Sequence, residues 1–334
     1  MPRLRTVSPR QPGWTRRRAG RGFVYLDGEG RRLPEEEVER FRALAVPPAW
    51  TDVWLCPVPN GHLQAVGTDA AGRRQYLYHP QWRLRRDRQK FDRVLAAAEH
   101  LPTARRTVAA DLAAEGMPLQ RADAVAVRLL DLGYFRIGND AYADAHGSFG
   151  LTTLQRSHVR LRGQVLRFRF TGKSGVEHTV EIDDLDVIRA LDRMRRRRSP
   201  GDRLLAYQEG RRWLDLDSAA VNLYLRELFD GELTAKDFRT WHATVLAATA
   251  LALSEEAGTT AASRRRAVRA AVVEVARYLG NTPTVARSSY IDPRVIDLYE
   301  SGITIAGVAR RRHRDPARRQ RALEEATIEL LTSS

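Results

Sequence analysis

PQWRLRRDRQKFDRVLAAAEHL, residues 80–101, is the stretch at which the chain changes character. It opens as a basic run and continues with apolar residues at helical spacing. Upstream, FVYLDGEGRRL (23–33), TDVWLCPVP (51–59) and HLQAVGTDAAGRRQYLYHP (62–80) are strand-like runs punctuated by Gly-containing turns. The one helix signal there is PEEEVERFRAL (34–44), which starts on proline and acids as helix N-termini prefer. Downstream, helices are predicted over 90–100, 104–116, 120–132, 184–198, 217–229, 236–254, 261–279 and 316–332. One β island interrupts them: HVRLRG (158–163), QVLRFRF (164–170) and EHTVEID (177–183). In it Leu166, Phe168 and Phe170 alternate with Arg167 and Arg169, as on a half-buried strand. The fold class is therefore α+β: a small β-rich N-terminal domain (23–88) and a larger, mainly helical domain (89–334) containing a short antiparallel sheet. Residues 1–22 carry seven arginines and no acid, and are predicted to be a flexible basic arm.

Composition narrows the function. The 334 residues are 43% hydrophobic and 29% charged, enough for sizeable cores, and the net charge of +15 points to a polyanionic partner. Cys56 is the only cysteine, which excludes a disulfide framework or a thiolate zinc site and fits a reducing cytosol. The longest apolar run, about Val245 to Leu253, is too short for a membrane span, and no apolar segment follows the N-terminal arginines as in a secretory signal. A cytoplasmic protein bound to nucleic acid is expected. Lys90, Lys173 and Lys236 are the only lysines, so 53 of the 56 basic residues are arginine. A lysine surviving in that background suggests a position needing a cation that can release a proton, as arginine cannot.

The eight histidines are scattered without metal-ligand spacing, and TGKSG lies between strands rather than before a helix, so it is no phosphate loop. Phosphate chemistry here needs side chains alone: cations on the non-bridging oxygens, a nucleophile in line and an acid for the leaving oxygen. Five segments supply these parts in order: FRIGN with Arg136, TGKSG with Lys173, KDFRTWH with Lys236 and Arg239, LGNT with Asn281, and ARSSYIDP with Tyr290.

This set resembles the active site of type IB DNA topoisomerases, specifically the short poxvirus-type enzymes and their bacterial relatives. The similarity runs from GRRQYLYHP and RDRQKFDR to SSYIDP. The resemblance implies a monomer whose two domains close as a clamp around double-stranded DNA, localised with the nucleoid in the cytoplasm. It implies Tyr290 as the nucleophile, leaving a 3′-phosphotyrosyl link and a free 5′-hydroxyl, with Arg136 and Arg239 on the non-bridging oxygens. Lys173 becomes the general acid, and Lys236 a phosphate contact or a helper in proton transfer. Many relatives carry His where LGNT has Asn281; an amide still donates a hydrogen bond to phosphate but moves no proton. No cofactor or metal is implied, because exchanging one phosphodiester for another needs no ATP.

Upstream, Arg73, Arg74, Gln75, Tyr76 and Tyr78 match the family's DNA-contacting stretch. Alternation puts Arg73, Gln75 and Leu77 on one strand face and Arg74, Tyr76 and Tyr78 on the other. Two rivals remain open: a tyrosine recombinase and a non-catalytic DNA-binding protein. Recombinases usually place His at the position of Lys236 and carry a helical N-terminal domain; passive binding leaves the ordered motif set unexplained.

Overall fold

A computed structural model describes residues 3–132, 135–138, 147–231, 233–254 and 260–333, and the chain divides into two compact units, Met1–Lys90 and Phe91–Ser334.

The smaller unit is a five-stranded antiparallel sheet in the order β2-β1-β3-β4-β5, with β1 Trp14–Ala19, β2 Gly22–Leu26, β3 Thr51–Leu55, β4 Leu63–Thr68 and β5 Arg74–Tyr78. Helix α1, Glu35–Ala43, sends Val38 and Phe41 into its core, where Phe41 stacks on Tyr25 at 6.0 Å. The flexible arm expected over residues 1–22 is corrected from Trp14 onward, because β1 pairs with both β2 and β3. Arg16 does not extend into solvent. It is buried, donates to the carbonyls of Val46 (2.7 Å), Pro47 (2.8 Å) and Trp50 (3.0 Å), and lies 4.1 Å from the Phe23 ring. A guanidinium can be buried there because three carbonyls take bonds from its two Nη groups, although its Nε has no partner among the described residues. Arg17 and Arg18 beside it are exposed, and net charge alone does not tell a buried arginine from a solvated one.

Helix α2 runs unbroken from Pro80 to Leu112 through Pro102, where two helices were expected. Proline forfeits one backbone bond. The buried stripe Val94, Leu95, Ala98, Leu101, Ala104, Val108 and Leu112 holds the helix together through it.

The rest of the larger unit packs around one core. In chain order come α3 Leu119–Asp131, the sheet β6-β7-β8 (Val159–Arg162, Val165–Thr171, Glu177–Ile182), α4 Leu185–Arg195 and the hairpin β9 Ala206–Glu209 with β10 Arg212–Asp215. Then follow α5 Ser218–Phe229, α6 Ala235–Leu253, α7 Ala261–Leu279, α8 Pro283–Ser289, α9 Pro293–Glu300, α10 Ala306–Ala309 and α11 Pro316–Thr332. As alternation predicts, Leu166, Phe168 and Phe170 are buried while Arg167 and Arg169 face out. Partly buried Arg105 on α2 ties three helices together, bonding Asp131 of α3 at 2.8 Å and Glu324 of α11 at 2.7 Å.

Several elements were not among those expected from sequence. The β9–β10 hairpin is short, and α8, α9 and α10 were absent from the expected helices. Two of those helices had a signal: Thr282 and Asp292 each cap a helix whose first residue is proline. The arginine run at 195–198 reads by its composition as a solvated helix end, yet Arg197 is buried and donates to the carbonyls of Met194 (2.9 Å) and Leu204 (3.1 Å).

Asp123 on α3 is 4% exposed, and its Oδ1 has no partner among the described residues. Burial, and then the negative charges of Asp217 and Glu227, push its pKa up to about 7. At low pH the carboxyl is neutral in folded and unfolded chains alike. As pH rises toward 7 the unfolded chain ionises first, so stability is lost across that window and stays lost above it. Asp123→Asn is therefore expected to stabilise the protein by ~1–3 kcal/mol at pH 8, with the gain shrinking toward pH 4. Thermal melts of both proteins across that range check this, and a pH-independent difference would refute it.

Candidate active site

Four segments of the larger unit build the site. Phe135 packs edge-on to Phe168 (5.1 Å) and stacks on Phe170 (6.0 Å), which seats the FRIG segment on the β6-β7-β8 sheet. Its backbone is fixed by the Leu151 N–H, 2.7 Å from the Arg136 carbonyl, and by Thr152, whose N–H and hydroxyl bond the Ile137 carbonyl at 2.8 and 2.9 Å. Two glycines permit this approach. Gly138 has φ +95°, and a Cβ on Gly150 would come within 2.5 Å of the Gly138 Cα.

Arg239 comes from α6, whose first turn is set by Asp237 accepting from the Thr234 N–H (2.9 Å) and hydroxyl (2.8 Å). It is 4% exposed and donates through Nη2 to the Leu279 carbonyl at 2.7 Å. Arg136 Nη2 donates to the same carbonyl (3.3 Å), to Gly280 O (3.1 Å) and to Asn281 Oδ1 (2.6 Å). Leu279 ends α7, and Gly280 closes it in the left-handed region at φ +61°. The last carbonyls of a helix carry partial negative charge, which allows two guanidiniums to converge without an acidic side chain.

Tyr290 caps the C-terminus of α8, its N–H bonded to Ala286 O at 3.0 Å. The Thr244 hydroxyl on α6 shares its proton between the Thr240 carbonyl (2.9 Å) and the Tyr290 carbonyl (3.4 Å) and accepts from the Asp292 N–H (3.2 Å), so one helix positions both the tyrosine and the cations. The Lys236 Nζ and the Arg239 guanidinium lie 5.9 and 5.6 Å from the Tyr290 ring centre. Burial alone would raise the phenol's pKa, but Arg239, Lys236 and Arg136 together outweigh it and hold the pKa below the ordinary tyrosine value. Burial and the neighbouring Arg136 bring Arg239 down to about 10, still protonated at neutral pH.

Arg239 Nε and Asn281 Nδ2 are buried and have no acceptor among the described residues. Donors in that state are free to bond an acceptor oxygen, such as one of a phosphate, that enters the site. The structure thus brings together Arg136, Lys236, Arg239, Asn281 and Tyr290. Lys173 is exposed on the turn Lys173–Gly175 between β7 and β8. A further residue, which no sequence motif singles out, stands between: His178, opposite Phe170 in the β7–β8 register, lies against both Gly172 and Gly280. Strand register alone places it there.

The N-terminal stretch belongs to the smaller unit. Arg73 pairs with Asp69 at 2.8 Å and Gln75 Nε2 donates to the same carboxylate at 2.9 Å, which helps lower the Asp69 pKa to about 2. Arg74, Tyr76 and Tyr78 face outward, and the two tyrosine rings stack at 6.2 Å. The aromatic face of this hairpin is exposed, with Tyr76 47% accessible. Among the described residues no His, Cys, Asp and Glu cluster could hold a metal ion, and no helix is long and apolar enough to cross a membrane.

A family model described as "Eukaryotic DNA topoisomerase I, catalytic core" matches residues 79–308, and one described as "Bacterial DNA topoisomerase IB, N-terminal domain" matches residues 22–69. The chain is 30% identical over 304 residues to DNA topoisomerase 1B of Acanthamoeba polyphaga mimivirus, covering 86% of this chain and 88% of that protein. It is 28% identical over 160 residues to DNA topoisomerase 1 of Schizosaccharomyces pombe, covering 47% of this chain and 18% of that protein. It is 30% identical over 130 residues to DNA topoisomerase 1 of Drosophila melanogaster, covering 37% and 12% respectively. With both parts of the chain matched and a relative aligned over nearly its whole length, the chain belongs to the type IB DNA topoisomerases.

Proposed function

We propose that this topoisomerase relaxes supercoiled DNA by nicking one strand through Tyr290, letting the duplex swivel and resealing it. The Tyr290 hydroxyl loses its proton to water, and its oxygen attacks a backbone phosphate, forming a P–O(Tyr) bond as the P–O5′ bond breaks. The electron pair leaves on the 5′-oxygen, which takes a proton from Lys173. Arg136 and Arg239 neutralise the non-bridging oxygens as charge builds on them, and the Asn281 amide donates a further bond. Lys236 beside the phenol favours its ionised form and can also reach the phosphate. Religation is the reverse. No ATP is consumed, because the phosphotyrosyl ester conserves the energy of the phosphodiester. Arg74, Gln75, Tyr76 and Tyr78 would contact the duplex, with Arg73 in support, as a monomer clamps it.

The observation that carries this reading is the pair of buried, acceptorless donors on Arg239 and Asn281, grouped with Arg136 beside a tyrosine whose ionised form the same cations favour. The test is relaxation of negatively and positively supercoiled plasmids by purified protein in EDTA without ATP. Both should relax to completion. Dependence on a divalent metal, or relaxation of one sign only, would sink the proposed mechanism.

A further inference from the structure

The imidazole of His178 occupies a three-sided slot. It stacks on Phe170 at 5.2 Å and 20°. A Cβ added at Gly172 would come within 2.6 Å of its Cδ2 and 2.7 Å of its Nε2. One added at Gly280 would come within 3.0 Å of its Cε1. Gly280 has a backbone reason to be glycine, with φ +61°, but Gly172 does not: its φ is −95°, which any residue adopts. Glycine at 172 therefore makes room for the ring. Gly172 immediately precedes Lys173, and Gly280 immediately precedes Asn281. The ring thus touches the base of the turn carrying one site residue and of the loop carrying another.

We propose that His178 is a positioning residue, a wedge that sets the Lys173 turn against the Asn281 loop so that the acid meets the leaving oxygen of the phosphate. This rests on the reading of Lys173 as the general acid. Charge on the ring is disfavoured by burial and by the nearby Arg136 and Arg239, with Glu177 opposing, so a neutral wedge sits beside two cations without repelling them. The β7–β8 register fixes the arrangement, because Thr171 pairs with Glu177 and Phe170 with His178 on either side of the turn.

The test uses the full chain and a duplex containing a site at which the chain is first shown to cleave plasmid DNA, with oxygen or sulfur as the 5′-bridging atom. Sulfur leaves without a proton, so it bypasses the acid. His178→Ala should slow single-turnover cleavage of the oxygen substrate by about 30–100-fold, the cost of misplacing a catalytic group by about 1 Å, while the sulfur substrate stays within about threefold of wild type. Gly172→Ala, which keeps His178 but drives a methyl into it, should show the same selective defect. The double variant should be no slower than His178→Ala alone, because the added methyl then meets only the Val176 carbonyl, at an ordinary contact distance of 3.5 Å. An unaffected His178→Ala, equal slowing on both substrates, or multiplying defects would each overturn the proposal. Lys173→Ala in the same assay separates the two readings: its failure to recover on sulfur would remove the acid assignment whatever the His178 variants do. Melting temperature and duplex affinity equal to wild type confirm folding, and Gly172→Ala carries the test if His178→Ala does not fold.

Discussion

Tyr290→Phe is expected to reduce covalent adduct formation by at least ~10⁴-fold while duplex affinity stays within about twofold, because only the attacking hydroxyl is lost. The ring itself remains packed against the core, under Lys236 and Arg239, and the backbone bonds from Thr244 and to Ala286 do not involve the hydroxyl. A suicide duplex that traps the protein–DNA adduct on a denaturing gel, alongside a binding titration, reads both quantities. Adduct formation at the wild-type rate would move the nucleophile elsewhere. Tyr278 on α7, which lies close enough to Arg239 to interact with it electrostatically, would then be the first candidate.

Arg239→Ala should cost about 10²–10³-fold in cleavage, the usual loss when one preorganised donor to a developing charge is removed. Arg239→Lys should recover little of it. A guanidinium bonds the Leu279 carbonyl through one nitrogen and still presents others to phosphate, whereas an ammonium lacks that fork. The same substitution has a pH signature. Burial raises the Tyr290 pKa, and Arg239 is the largest of the cationic influences that bring it down, so its removal should shift the alkaline rise of the cleavage rate to higher pH. Cleavage within tenfold of wild type, with no such shift, would rule Arg239 out of the site.

Much of the fold is legible in the pattern of residues. Period-two alternation in VLRFRF marks the buried and exposed faces of β7, and 3.6-residue spacing locates α3, α6, α7 and α11 within a few residues. Legibility fails where a tertiary contact overrides a local rule. Pro102 reads as a break, yet the apolar stripe on either side keeps α2 whole. Arg16 and Arg197 read as solvated cations, yet each finds backbone carbonyls to bury against. Hydrogen-bond satisfaction is a property of three-dimensional neighbours, and a basic run in sequence carries no record of it.

The candidate site divides along the same line. The two-part α+β layout, the polyanionic partner and the ordered set of Arg136, Lys173, Lys236, Arg239, Asn281 and Tyr290 are all readable from residue type and spacing, because these limit which chemistry is available. How those groups meet is set by folding. Two arginines converge on the end of α7 because its last carbonyls are free of helical partners and Gly280 lets the chain turn away there. Tyr290 sits beside them because Thr244, about one helical turn beyond Arg239, holds its backbone. His178 enters through strand register, which brings it between two glycines far apart in the chain. Side-chain chemistry is written locally, but desolvation, charge convergence and steric fit depend on distances that exist only in the folded chain.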